Sequence, residues 1–282
     1  MEFRTVVDIP KPDFEIAPCE PLMFVGSCFA DSIGARFREE GFPVVVNPFG
    51  VMYNPASILH TIERYEGTIP RIVVLTLGTN HVYRLKETGE IVDNCQKRPQ
   101  HLFHEEMLTV DQCADYLCQI VALLQQQRPD VHVVLTVSPI RYRKYGYHGS
   151  QLSKATLLLA VEKAIGDWPL AISQSPIAAN NQSSAPNYFP SYELLMDELR
   201  DYRFYADDML HPSQQAVAYI WERLVDHWFS KEAKAFLDAW RPLKQVLAHR
   251  PFHPDTQEYQ TLIDKTMLKV AELRKKYPTF AL

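Results

Sequence analysis

The chain has 282 residues, of which 46% are hydrophobic, enough to bury the core of one domain with a small appendage. Its formal net charge of −5 excludes the strongly basic surface by which proteins hold nucleic acid or anionic membranes. No apolar run nears the roughly 20 residues that span a bilayer, so no membrane partner is expected.

In chain order, Pro21–Val25 is apolar and reads as a buried strand ending at Gly26. Phe29, Ile33 and Phe37 then repeat with a helical period, and Gly41 stops that helix. Val44-Val45-Val46 is a second strand, ending in Asn47-Pro48-Phe49-Gly50. Asn54 and Pro55 form an N-cap and first-turn pair for a helix carrying Ile58, Leu59 and Ile62, closed by Gly67. Ile72–Leu77 is a third strand running into Gly78-Thr79-Asn80. Residues 81–108 show no clean period and read as a long insertion. Thr109-x-x-Gln112 is a capping box for a helix ending at Pro129.

Val131–Val137 is a fourth strand, stopping at Ser138-Pro139. Leu157, Leu158, Val161, Ile165 and Trp168 mark the next helix, and a fifth strand falls at 169–175 or 187–192. Residues 178–186 form a polar loop. From about 230 the chain reads as helical. The stripe Tyr259, Ile263, Met267, Val270 suits an accessory helical pair covering the domain, or a homodimer contact. The division expected is a domain over 1–229 and a helical extension over 230–282. Strands separated by helices predict a three-layer α/β/α parallel sheet, with ligands bound at the carboxyl ends of the strands.

Two segments carry chemistry. Gly26-Ser27-Cys28 puts a small nucleophile where a strand meets a helix, and Asp208-Met209-Leu210-His211-Pro212-Ser213 puts an Asp three residues before a His. A nucleophile needs a base, and the base needs an orienting group. The bland alternatives are a packed cysteine with Ser27 as helix cap, and loop hydrogen bonding by Asp208 and His211. His101-x-x-His104-Glu105 lacks the His-Glu-x-x-His order of a zinc site, so no metal is expected. The five cysteines, Cys19, Cys28, Cys95, Cys113 and Cys118, contain no C-x-x-C pair, which argues against a disulfide framework or thiol-redox role. The first residues lack a signal peptide's apolar core, so a cytoplasmic location is expected.

Gly26-Ser27-Cys28-Phe29-Ala30 spells the name of the GSCFA domain family, and the chain resembles that family and, more widely, the SGNH (GDSL-like) hydrolases of flavodoxin-like fold. The superfamily's Gly-Asp-Ser block resembles Gly26-Ser27-Cys28. Its second-block glycine resembles Gly50, and its Gly-x-Asn-Asp block looks like Gly78-Thr79-Asn80 followed by His81. Its Asp-x-x-His block is similar to Asp208 through His211.

The resemblance implies an acyl-ester hydrolase or acyltransferase with His211 as base and Asp208 as its orienter. Gly50 and Asn80 would supply oxyanion donors. The substrate would be a small-molecule or carbohydrate ester, for instance an O-acetylated sugar, with no cofactor. An ungapped alignment puts Cys28 at the nucleophile position; Ser27 serves only if the turn is one residue shorter. The insertion would roof the cleft, with His81, Asn94, Lys97 and His101 meeting substrate. Arg141, Arg143 and Lys144 suit either an anionic group or a solvated basic loop. The altered nucleophile leaves a second reading, a non-catalytic ligand-binding module on the same fold.

Overall fold

A computed structural model of the chain describes residues 4–93, 98–168 and 185–282. Five strands form its central sheet: β1 (Leu22–Gly26), β2 (Val44–Val46), β3 (Ile72–Leu77), and, beyond a smaller sheet, β7 (His132–Val137) and β8 (Asn187–Tyr188). They run parallel in the order β2-β1-β3-β7-β8, in register at Leu22 with Val44 and Ile72, and at Ile72 with His132. Numbering only these strands gives 2-1-3-4-5, the flavodoxin-like order, whose topological switch lies between β1 and β3. The fifth strand falls in the second window expected for it. The first window, and most of the expected polar loop, lie outside the described residues.

Strand alternation divides the core. Met23, Val25, Val73, Leu75, Val133 and Leu135 face α2 (Pro55–Arg64), α3 (Val110–Gln127) and α4 (Gly146–Gly166). Leu22, Phe24, Ile72 and Val134 face α1 (Cys28–Glu39) and α5 (Gln214–Trp228). These two layers of helices complete a three-layer α/β/α architecture. The capping box at Thr109 forms in full, with its hydroxyl accepting from Gln112 N–H and the Gln112 side chain accepting from Thr109 N–H.

The insertion without a period is an antiparallel sheet, β4 (His81–Leu85), β5 (Ile91–Val92) and β6 (Phe103–Met107), in the order β5-β4-β6. Its alternation is hidden because His104 and Glu105 are both exposed, so successive residues carry no inside-outside contrast.

α6 (Lys231–Ala248) and α7 (Gln257–Lys276) pack on the outside of the α1 layer. Phe236, Leu237, Trp240, Val270 and Phe280 join the same core as Phe37 and Phe42, so the extension shares the domain's interior. Trp240 donates its indole N–H to the Glu39 carbonyl (3.3 Å), and Lys244 pairs with Glu40 (2.6 Å). Gly41, at φ +82°, admits the Phe280 ring where a Cβ would collide with it. On α7 the buried positions are Thr266 and Val270, while Met267 is exposed, so the expected stripe is one residue out at Met267. Among the described residues, no helix is long and apolar enough to cross a membrane.

Candidate active site

Gly26 ends β1 at φ +139°, with its α-carbon so close to β3 that a Cβ would collide with the Thr76 carbonyl. A glycine is required there. The chain then turns into α1 within one residue. Ser27 caps that helix: its Oγ accepts from Phe29 N–H at 3.2 Å and lies 2.5 Å from Ser138 Oγ and 3.2 Å from Thr76 Oγ1. Its own N–H goes to the Thr76 carbonyl (3.0 Å). At 1% exposure, the Ser27 hydroxyl is held in a buried polar joint across β1, β3 and β7.

Cys28 is the first residue of α1 and is half-buried. Its Sγ lies 3.6 Å from the Tyr53 hydroxyl. Burial first, and then the hydrogen bond with Cys28, push the Tyr53 phenol above its ordinary pKa. The Cys28 N–H sits in the first helical turn, where no earlier helical carbonyl can accept it.

Cys28 opens on a cleft of about 220 Å³, walled in part by Tyr53, Tyr142, Arg141, Leu210 and His211. The loop carrying His211 is tightly folded. Ala206 N–H donates to the His211 carbonyl (2.8 Å), and Met209 adopts φ +58°. Asp208 Oδ1 accepts from Leu210 N–H (2.9 Å) and His211 N–H (3.0 Å), while Oδ2 lies 2.5 Å from His211 Nδ1. The His211 N–H, then its ring, then the Leu210 N–H draw the Asp208 carboxyl down to about 2. An ionised Asp208 fixes the proton on Nδ1 and leaves Nε2 with its lone pair. Arg141 braces this loop, its N–H donating to the Leu210 carbonyl (3.0 Å) and its Nη1 to the Met209 carbonyl (3.3 Å).

The two expected oxyanion donors are not at the cleft. The Gly50 N–H closes a turn onto the Asn47 carbonyl (2.8 Å), and Gly50 is exposed beyond the cleft wall. Asn80 is 4% exposed, and its amide donates to the Leu108 carbonyl (2.7 Å), with its N–H donating to Ser153 Oγ (3.0 Å). The start of β4 at His81 carries Asn80 into that joint. The cleft wall instead carries the donor side chains of Tyr53 and of the cations that follow β7.

Among the described residues of the insertion, none is in the cleft wall. His81 is buried beneath Tyr145, their rings 3.6 Å apart and nearly parallel, and its Nδ1 is 3.7 Å from Glu105. Burial and then Lys144 push its pKa down. His101 is exposed in a short turn of the insertion. Asn94 and Lys97 lie outside the described residues. Arg141, Arg143 and Lys144 all reach the cleft wall. Among the described residues, no three His, Cys, Asp or Glu side chains gather as metal ligands would.

Two residues escaped the sequence reading. Tyr53 stands one place before the N-cap of α2 and has no motif of its own. Lys154 is 2% exposed on α4, donating to the Gly78 carbonyl (2.7 Å) and the Ser138 carbonyl (2.9 Å). Burial lowers its pKa to about 7. Its position three residues before Leu157, on the helix's buried face, was the available signal.

Comparison with known families gives a match to the sequence model of the GSCFA family over residues 21–71 and 68–224, and to the GSCFA domain protein C-terminal domain over residues 240–282. Among solved structures, the chain is similar to a protein described as a GDSL-like lipase from Parabacteroides merdae (13% identity, 77% of this chain, 99% of that one, TM-score 0.48). It is also similar to an acetyl-xylooligosaccharide esterase from Geobacillus (12%, 77% and 100%, TM-score 0.45). A carbohydrate esterase of family 3 from Talaromyces cellulolyticus is a third such structure (14%, 78% and 99%, TM-score 0.40). A comparison with curated proteins found no match.

Proposed function

The chain belongs to the GSCFA family, and on that premise we propose that it is an acyl-ester hydrolase whose nucleophile is the Cys28 thiol. The observation that carries this reading is the shared cleft: Ser27, Cys28 and His211 all line its wall, His211 is held by Asp208 through Nδ1, and of the two candidates Cys28 is the more exposed. His211 Nε2 takes the thiol proton, and the thiolate attacks the acyl carbonyl. The tetrahedral intermediate expels the alcohol, which leaves with the proton from His211, and a thioester remains on Cys28. Water, deprotonated by His211, then releases the acid. An alcohol in place of water makes the same cycle an acyl transfer. Ser27 is the weaker candidate, because its hydroxyl is engaged with Ser138, Thr76 and the helix cap.

The test is p-nitrophenyl acetate turnover beside peptide-resolved alkylation. Cys28→Ala should abolish turnover, and His211→Ala should reduce it by at least about 10²-fold. Ser27→Ala should retain catalysis in whatever fraction remains folded. Turnover that survives Cys28→Ala but not Ser27→Ala would move the nucleophile to Ser27.

One observation favours the second reading, a non-catalytic ligand-binding module: the diversion of Asn80 and Gly50 from the cleft removes two donors of the superfamily pattern. Absence of ester turnover by the unmodified chain, with Cys28 still alkylated, would favour it.

A further inference from the structure

The cleft has a charge that the rest of the chain does not. The formal net charge is −5, yet the cleft wall includes Arg141, Arg143 and Lys144 and, among the described residues, no carboxylate. Acids outside the wall are each paired: Asp208 with His211, Glu105 with Lys144 (3.2 Å), and Asp31 with the Asn47 amide (2.7 Å). Glu105 offsets Lys144, and the Asp208 carboxylate behind His211 offsets one guanidinium, which leaves one net positive charge and two guanidiniums that face no carboxylate in the wall. Arg141 is fixed by the Met209 carbonyl and by the Tyr147 ring 4.2 Å away. Arg143 is exposed at the rim, and no hydrogen bond or ion pair engages its guanidinium among the described residues.

We propose that this cleft takes an anionic substrate, one carrying a carboxylate or phosphate that the Arg143 and Arg141 guanidiniums bind while the acyl carbon lies at Cys28. The substrate assignment rests on the hydrolase reading; the anion site itself does not. A guanidinium presents paired N–H donors that match either oxyanion, and a cleft lined by one sign of charge concentrates ligands of the other.

The first experiment needs no turnover. Iodoacetate and iodoacetamide deliver nearly the same alkyl group to a thiolate, expelling iodide, but only iodoacetate is charged. Their rates at Cys28 are read by peptide mass, and the ratio is compared with that for 2-mercaptoethanol. A ratio raised about threefold or more is expected, falling in about 0.5 M salt and in Arg143→Glu. A ratio at or below the 2-mercaptoethanol value would overturn the proposal. So would a raised ratio that none of Arg143→Glu, Arg141→Ala and Lys144→Ala lowers.

The second experiment places the charge in the substrate. Mono-p-nitrophenyl succinate carries it on the acyl side and 4-acetoxybenzoate on the leaving side, with p-nitrophenyl acetate and methyl 4-acetoxybenzoate as neutral partners. Arg143→Glu should lower the anionic-to-neutral ratio of kcat/KM for one pair, which identifies the side. Turnover of the neutral esters with neither ratio affected refutes the anionic substrate and leaves the hydrolase standing. No turnover of any ester with the iodoacetate selectivity intact refutes the hydrolase and leaves the anion site standing.

Discussion

Lys154→Met tests whether a neutral lysine is built in against the carbonyl of Gly78, a residue of the cleft wall. The amine is buried and, among the described residues, meets two carbonyls and no carboxylate, and burial brings its pKa to about 7 from an ordinary value of 10.5. In the unfolded chain it stays protonated up to about 10.4. Between those values the unfolded state binds one more proton than the folded state, so stability rises with pH, by about 1.4 kcal/mol per unit. From pH 7 to pH 10 this contributes about 4 kcal/mol, present at high pH and lost as pH falls toward 7. Methionine keeps the volume and has no such dependence. It leaves the Gly78 and Ser138 carbonyls without the amine, a cost of about 1 kcal/mol each that does not vary with pH. Urea melts of both proteins at pH 7, 8 and 9 should give a stability difference that widens by roughly 1 kcal/mol or more per unit in favour of lysine. A difference that stays constant across that range would mean that Lys154 remains charged in the folded protein, and would refute the reasoning.

Asp208→Asn should keep the loop, since an amide oxygen still accepts the Leu210 and His211 N–H groups, but free the imidazole to flip tautomer; ester turnover should fall by about 10²-fold or more in a variant that still folds. Because Asp208 is held at about 2, its contribution to stability is present above its unfolded pKa and is lost only as pH falls toward 2, so an acid titration of the Asn variant should lack that loss. Gly26→Ala must place a Cβ against the Thr76 carbonyl at φ +139°, and should cost several kcal/mol, read as loss of soluble yield or a much lower Tm.

What was legible in the sequence was local. The turn at Gly26-Ser27-Cys28 and the loop at Asp208–His211 are each formed by neighbours in the chain, so their residue types announce them. The parallel sheet showed in four apolar runs, because buried strands carry their environment in every residue. Asn80 misled for the opposite reason: its role depends on Leu108 and Ser153, far along the chain, and a pattern of four residues cannot register that. Lys154 was hidden by chemistry, since lysine reads as surface unless carbonyls wait for it inside. Thr266 took the place of Met267 on α7 because only half of that helix face meets the core, so its apolar period is weakly constrained.

The shared interior of α1 and the C-terminal helices bears on how the molecule comes apart. The two family models end at residue 224 and begin at residue 240, but Phe236, between them, meets Phe42 edge to face on one side and Phe280 on the other, and Phe42 meets Phe37 in the same way, so one aromatic stack spans the division. The helix clamped there at its carboxyl end carries Cys28 at its amino end. Peeling away the last two helices would uncover those rings and unseat the thiol together. The chain should therefore unfold as one cooperative body, with no stage at which the extension has melted and the cleft still works.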